Sequence, residues 1–81
     1  YQYFGYIALY IEAEDSKTAA FLLHKMKMDG CKIDMYEVDK PGAGGQTFTI
    51  MATIRVARGK NREEYLDELS GTEGIILLDS L

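Results

Sequence analysis

Few residues of this chain have the types and the spacing that chemistry at a site requires. The densest group is the run Glu12, Glu14, Asp15 and Ser16, whose oxygens are the kind of ligand that a divalent cation takes. Acidic residues also collect at helix N-termini without any ligand, because the helix dipole favours them there. Alternation along a strand end sends these side chains in different directions. We therefore expect the run to cap a helix, and we predict no metal site.

The other candidates for catalysis stand apart from one another in the sequence. His24 lies off the apolar stripe of the first predicted helix, so we expect a solvated side chain rather than a base or a ligand. Cys31 is the only cysteine, which excludes an internal disulfide and a CxxC motif, and we interpret it as a small buried residue. The glycine-rich segment 41–45 lacks the GxxxxGK[ST] pattern of a phosphate-binding loop. We predict no catalytic residue, no cofactor and no enzyme activity.

The size and charge of the chain further restrict the functional classes to which it can belong. With 81 residues it forms one domain, which buries roughly 60% of the surface of its unfolded chain. The net charge of −4 argues against a dedicated nucleic-acid binder, because neutralised phosphates supply much of that affinity. No apolar run approaches the ~20 residues of a membrane span. Since strand-like alternation begins almost at Tyr1, we expect residues 1–81 to be a domain cut from a longer protein.

The helices and strands that position these residues are predicted from the periodicity of apolar residues and from the capping, glycine and proline residues between them. Residues 3–12 alternate as a strand, and Asp15 or Ser16 caps a helix that ends at Gly30. Residues 31–40 alternate again, with Cys31, Ile33 and Met35 on one side and Tyr36 and Val38 on the other, and we expect the helices to cover Ile33 and Met35. Segment 41–45 predicts a hairpin into a third strand, in which Phe48, Ile50, Ala52, Ile54 and Val56 alternate with polar residues and Met51. Asn61 caps a short helix that ends at Gly71, and residues 75–78 form the last strand.

This order, βαββαβ, is that of an α+β ferredoxin-like sandwich. Right-handed crossovers give a four-stranded antiparallel sheet of spatial order 4-1-3-2, with both helices on one face. No element of the chain remains to cover the other face. The residues predicted to lie there are Phe4, Tyr6, Tyr10, Tyr36, Met51 and Arg55.

Three uses of this uncovered face are open. Scattered surface tyrosines need no explanation, since tyrosine suits half-exposed strands. RNA-recognition domains share the fold and stack bases on aromatic residues, but the third strand here offers Thr49, Met51 and Thr53 at those positions and the net charge is acidic. We favour a protein contact, because contiguous apolar patches on small domains usually mark one. The basic set Arg55, Arg58, Lys60 and Arg62 is interpreted as a solvated loop, with an anionic lipid or ligand as its alternative.

The segment ARGKNREEYLDELSGTEGIILLDSL resembles the end of the C-terminal ACT-like domain of MgtC/SapB family membrane proteins. Residues that carry the resemblance form the turn "L-S-x-x-E-G-[VI]" before the last strand: Leu69, Ser70, Glu73, Gly74 and Ile75. The first helix and the glycine-rich hairpin also suit that domain, so the resemblance covers nearly the whole chain.

The resemblance implies a non-catalytic regulatory or assembly domain that follows a bundle of membrane helices, on the cytoplasmic side of the bacterial inner membrane. That family is associated with magnesium limitation and magnesium transport. ACT domains commonly pair, so the expected partners are a second copy and the parent membrane domain, without nucleic acid and without membrane insertion of this segment. A small-molecule-sensing ACT domain is the alternative. Such domains usually have glycine in the loop after the first strand, where this chain has EAEDSK.

Overall fold

The computed structural model describes residues 5–81, so the predicted interface residue Phe4 lies outside the described residues. Six elements follow one another along the chain: β1 (Ile7–Ala13), α1 (Ser16–Met28), β2 (Lys32–Asp39), β3 (Phe48–Arg55), α2 (Arg62–Ser70) and β4 (Ile75–Ser80). They form the predicted α+β arrangement of four strands and two helices. Among residues 5–81, no helix has the length and apolar character that a membrane span requires.

The four strands form one antiparallel sheet in the spatial order β2-β3-β1-β4. This confirms the predicted order 4-1-3-2 and the hairpin between β2 and β3. In the centre of the sheet, Leu9 pairs with Ala52 and Ile11 with Ile50, so the apolar sides of β1 and β3 lie on the same face. The two central strands therefore form the floor of the core.

Both helices pack on this apolar face. The core is a single cluster in which β1 and β3 supply most of the aliphatic side chains and each helix supplies a short stripe. Its buried members are Ile7, Leu9, Ile11, Ala13, Ala19, Leu22, Met26, Cys31, Ile50, Ala52, Ile54, Val56, Tyr65 and Leu69. Nine of the larger side chains in it are less than 2% exposed, which leaves no room for a ligand between sheet and helices.

The helices begin where the sequence predicts. The Asp15 carboxylate accepts a hydrogen bond from the backbone N–H of Thr18, with an O–N distance of 2.8 Å, and so caps α1. Asn61 caps α2 in the same way through the backbone N–H of Glu64. Because each cap satisfies a helix donor that would otherwise need water, the two short helices have fixed starting points.

The predicted faces of β2 are wrong from Met35 onwards, including those of Tyr36 and Val38, and the errors come from one β-bulge. Ile33 pairs with Ile54, but Met35 pairs with Thr53, so the register shifts at Asp34. One extra residue sends all later side chains to the opposite faces. Tyr36 therefore lies on the helix side instead of the uncovered face. Met35, which was predicted to be covered by the helices, points away from them and is 36% exposed.

Candidate functional site

The candidate site is the sheet face that the helices leave uncovered, which we call the open sheet face. It carries the side chains of β1 to β4 that alternate away from the core. These are Ala8, Tyr10, Glu12, Lys32, Met35, Glu37, Asp39, Thr49, Met51, Thr53, Arg55, Leu77 and Asp79. Tyr6, directly before β1, and Asp34, at the bulge of β2, contact Arg55 on the same face. The face therefore combines two tyrosines and two methionines with charged residues of both signs.

Cross-strand pairing arranges these residues in rows that run across the strands. At one end Lys32 lies beside Arg55, and Arg55 contacts Tyr6; we call this the basic end. At the other end Asp39 pairs with Thr49 and Thr49 with Glu12; we call this the acidic end. The open sheet face is thus polarised along its strands.

Two rows lie between the ends and differ in side-chain size. Next to the basic end are Met35, Thr53 and Ala8. Thr53 and Ala8, which lie on the two central strands, are small. Next to the acidic end are Glu37, Met51, Tyr10 and Asp79, with the two large residues on the central strands. On the two central strands, the row next to the acidic end therefore protrudes further from the sheet than the row next to the basic end.

Arg55 organises the basic end. Its guanidinium carbon lies 4.2 Å from the centre of the Tyr6 ring, which is a cation–π contact, and it donates a hydrogen bond to the Tyr6 hydroxyl. Its Nε lies 3.2 Å from the Asp34 carboxylate, which raises the pKa of Arg55. Tyr6 remains 59% exposed although it is held in place. The result is an ordered aromatic ring that presents its surface to solvent.

Tyr10 joins the apolar centre of the face to the acidic end. It lies opposite Met51 on β3, and its hydroxyl donates a hydrogen bond to Glu12 over 2.7 Å. That hydrogen bond raises the pKa of Tyr10. The structure thus brings Tyr6, Tyr10 and Met51 onto one surface as predicted, and the bulge of β2 adds Met35 in place of Tyr36.

The acidic run at the end of β1 does not converge on a common point. Glu12 accepts a hydrogen bond from Tyr10 on the sheet face, whereas Asp15 accepts hydrogen bonds from the backbone N–H and the hydroxyl of Thr18. The backbone N–H of Thr18 is the main reason that the pKa of Asp15 is lowered. Across residues 5–81, no three His, Cys, Asp or Glu side chains are grouped as a metal site would require.

Two residues of the basic set, Arg55 at the end of β3 and Lys60 in the following loop, lie on opposite sides of the sheet. Arg55 lies over Tyr6 on the open sheet face, whereas the Lys60 ammonium lies 5.2 Å from the centre of the Tyr65 ring in the helix layer. Arg55 and Lys60 therefore lie on different sides of the sheet.

Cys31 and Tyr65 belong to a buried polar network between α1 and α2. The Cys31 thiol donates to the Tyr65 hydroxyl over 3.4 Å, and that hydroxyl donates to Asp29 over 2.9 Å. Lys25 then bridges Asp29 and Glu68, so the network ties the two helices together. Burial raises the pKa values of Cys31 and of Tyr65. Cys31 is buried, as the sequence predicts.

Sequence reasoning did not identify one surface feature, a groove of about 750 Å³ that runs along α1. The exposed side chains of Phe21 and Met28 line it, together with His24 and the turn 72–74. The seven-residue spacing of Phe21 and Met28, off the buried stripe, is the signal that marks this face of α1. The predicted solvent exposure of His24 is confirmed.

The turn before β4 packs tightly against the start of α1. The Gly74 carbonyl accepts a hydrogen bond from the Glu14 backbone N–H over 2.8 Å, and a Cβ atom at Gly74 would lie 2.9 Å from Thr18 Cγ2. Only glycine fits there, because φ is also +91°. The glycine of the L-S-x-x-E-G-[VI] turn therefore has a packing role.

Comparison with known proteins gives a similarity at the level of the fold. No protein-family model matches the chain, and no curated protein matches it. Among solved structures, the C-terminal domain of the MgtC protein from Mycobacterium tuberculosis superposes with a TM-score of 0.67 at 11% sequence identity. The match covers 99% of this chain and 86% of that domain. The resemblance predicted from the tail motif is therefore confirmed at the level of structure, and the chain has the fold of the MgtC C-terminal domain.

Proposed function

We propose that this chain is a non-catalytic regulatory or assembly domain of an MgtC/SapB-like membrane protein and acts through protein–protein contacts. In this proposal the domain lies on the cytoplasmic side of the bacterial inner membrane, next to a bundle of membrane helices. The parent protein belongs to a family associated with magnesium limitation and magnesium transport. Two features support the assignment: the fold of the MgtC C-terminal domain and the turn motif around Gly74.

The observation that carries the contact proposal is the open sheet face. Tyr6 is ordered by Arg55 yet mostly exposed, and Tyr10 and Met51 lie next to each other on the central strands. Ordered aromatic and methionine side chains are enriched in the centres of protein interfaces, because they bury much apolar area with little further loss of entropy. The open sheet face therefore has the exposed aromatic and methionine side chains that are typical of protein interfaces.

The test uses a double substitution, Tyr6→Lys with Tyr10→Lys, in the full-length parent protein. We expect loss of the complex that the domain forms, with the fold of the domain retained, since both side chains lie outside the core. The matched control is Ala20→Lys, which places the same charge on the exposed side of α1, outside the groove beside that helix. A parent protein whose assembly and activity withstand the double substitution would contradict the proposal.

The residues that precede Tyr1 in the natural protein test the membrane assignment separately. Several apolar spans of ~20 residues there would support it. A catalytic domain in that position would instead indicate regulation of a metabolic enzyme.

The second candidate function is small-molecule sensing by an ACT domain, and the groove beside α1 is the observation that favours it. The groove lies next to the β1–α1 loop and the turn 72–74, with Phe21 and Met28 as apolar walls. The loop sequence EAEDSK, without glycine, weighs against it. Amide chemical-shift titration with amino acids would test this function through the signals of Thr18 and Gly74.

A further inference from the structure

Helix α1 carries a second stripe of side chains besides the one that packs on the sheet. Phe21, His24 and Met28 follow one another at intervals of three and four residues, and none of them belongs to the buried side of α1. Residues at this spacing share one face of a helix, and helices present side chains to a neighbouring helix at the same spacing. We call these three residues the outer stripe of α1. Within residues 5–81 it stays uncovered, since Phe21 is 53% and Met28 74% exposed.

The groove beside the outer stripe is long and open. The turn 72–74 forms its opposite wall, and its lining extends from Glu14 to Asp29. It therefore follows all 13 residues of α1, a length of about 20 Å. Sites for small molecules enclose most of the ligand surface, whereas both apolar side chains of this groove are more than half exposed. The shape therefore suits an elongated ligand, and the spacing of the outer stripe suits a helix.

Two carboxylates lie together at the end of the groove where α1 begins. Glu14 and Glu73 both line the groove there, because the backbone N–H of Glu14 is bonded to the Gly74 carbonyl. Both side chains are exposed, and among residues 5–81 neither carboxylate has a hydrogen-bond or ion-pair partner. They are therefore available to a cation on a ligand.

The other charges of the groove are compensated within the chain. Lys17 lies close enough to Asp15 to lower the pKa of that carboxyl. Asp29, at the far end of the groove, is paired with Lys25 over 2.9 Å. The excess negative charge of the groove therefore belongs to the end that Glu14 and Glu73 form.

We propose that the groove binds a basic amphipathic helix of a separate partner protein. Apolar side chains of that helix pack on Phe21 and Met28, and a lysine or arginine further along the same helix face pairs with Glu14 and Glu73. An amphipathic helix in an apolar groove is a common mode of peptide recognition, and complementary charge determines which helices bind. The proposal concerns a different surface from the open sheet face. Since the helix comes from a partner, the groove stays open in the parent protein alone.

Fluorescence anisotropy of a labelled model peptide tests the proposal on the 81-residue chain. The probe is an amphipathic helix of about 16 residues, long enough to follow α1, with leucine on one face and lysine on the other. One control peptide has the same composition in an order that forms no apolar face. A second control has glutamate in place of lysine. We expect micromolar binding of the probe and about 10-fold weaker binding, or less, of each control.

Substitutions on the outer stripe locate the apolar contact. Phe21→Ala and Met28→Ala should each weaken binding by roughly 3- to 10-fold, because each removes apolar area that the peptide covers. The matched control is Leu81→Ala, which removes an exposed apolar side chain outside the groove and should leave binding unchanged. Amide chemical shifts check that each variant remains folded, as expected for side chains outside the core.

Substitutions at the acidic carboxylates locate the charge contact. Glu14→Gln with Glu73→Gln should weaken binding by about 10-fold at low salt, and this difference should vanish near 1 M salt, where the Debye length is about 3 Å. Glu63→Gln with Asp67→Asn is the matched control. It makes the same change in net charge on the exposed side of α2, outside the groove, and should have little effect.

Equal binding of the probe and of the peptide without an apolar face would overturn the proposal. Groove variants that bind the probe as well as their matched controls do would also overturn it. A free amino acid that shifts the amide signals of Thr18 and Gly74, in a chain that does not bind the probe, would instead assign the groove to small-molecule sensing. Because none of these variants changes the open sheet face, the proposed function is tested separately.

Discussion

The Tyr36 hydroxyl donates a hydrogen bond to the main-chain carbonyl oxygen of Ala19 over an O–O distance of 2.6 Å. This contact joins the edge strand β2 to the middle of α1, and it exists because the bulge at Asp34 turns Tyr36 towards the helices. Burial raises the pKa of Tyr36 from its ordinary value of 10.0 to about 12. Because of the bulge, Tyr36 does not contribute to the open sheet face as predicted. It instead holds β2 against α1.

Tyr36→Phe should lower the free energy of unfolding by about 1 kcal/mol near neutral pH, because one partly buried hydrogen bond is lost. The effect should also depend on pH. Since the folded-state pKa of Tyr36 is raised, the neutral hydroxyl contributes stability that is fully present below pH 10.0 and is lost as pH rises towards about 12.

Urea unfolding of both chains across this alkaline range measures the difference. The two stability curves should converge as pH rises. A wild-type advantage that grows with pH would contradict the assigned role of Tyr36.

Gly74→Ala should destabilise the chain much more than Gly30→Ala. Both glycines have positive φ, +91° and +86°, so alanine introduces roughly 1–2 kcal/mol of backbone strain at either position. Only at Gly74 does the new methyl group also overlap the Thr18 side chain, which adds about 1–3 kcal/mol of overpacking.

Chemical denaturation of the two variants tests this difference. Thr18→Ala combined with Gly74→Ala should cost less than the sum of the two single substitutions, because it removes the clash. Equal losses for Gly74→Ala and Gly30→Ala would show that the turn does not pack on α1 as described.

Magnesium should bind the acidic run only weakly and without saturation. Mg²⁺ requires near-octahedral oxygen ligands, whereas Glu12 and Asp15 are engaged with Tyr10 and Thr18 on different sides of the chain. Isothermal titration calorimetry and amide chemical shifts provide the measurement. Saturable binding at physiological magnesium that is lost in Glu14→Gln or Asp15→Asn would contradict this prediction.

Single-stranded RNA should not bind in the micromolar range at physiological salt. Base stacking on tyrosine contributes ~1–3 kcal/mol per base, but binding also requires a positive groove along the phosphates. On the open sheet face, Arg55 is paired with Asp34, and acidic residues surround Tyr10. Fluorescence anisotropy with a mixed RNA sequence tests this, and salt-sensitive binding that disappears in Tyr6→Ala would assign the face to RNA instead.

Sequence reasoning predicted the elements and their order because the signals were local. Alternation in β1 and β3, and the caps Asp15 and Asn61, each depend on a few neighbouring residues. The topology then followed from handedness rules that apply to any chain of this order.

The errors in β2 have a different origin. Residues 32–39 contain apolar side chains on both sides of the alternation, so the sequence fits a regular strand as well as a bulged one. The bulge is selected by tertiary packing, because it allows Tyr36 to reach Ala19 while Asp34 reaches Arg55. The groove beside α1 was missed for a similar reason, since its second wall comes from the distant turn 72–74.

Methionine oxidation in the proposed parent protein tests the central claim, that the open sheet face is a protein-contact surface, most directly. Met51 lies in the centre of this face, whereas Met28 lies on α1 and is 74% exposed, so each protein carries its own control. We expect Met51 to be oxidised several-fold more slowly in the assembled parent than in the dilute isolated chain, with Met28 unchanged. Equal rates for Met51 in the two forms, or protection of Met28 alone, would contradict the account.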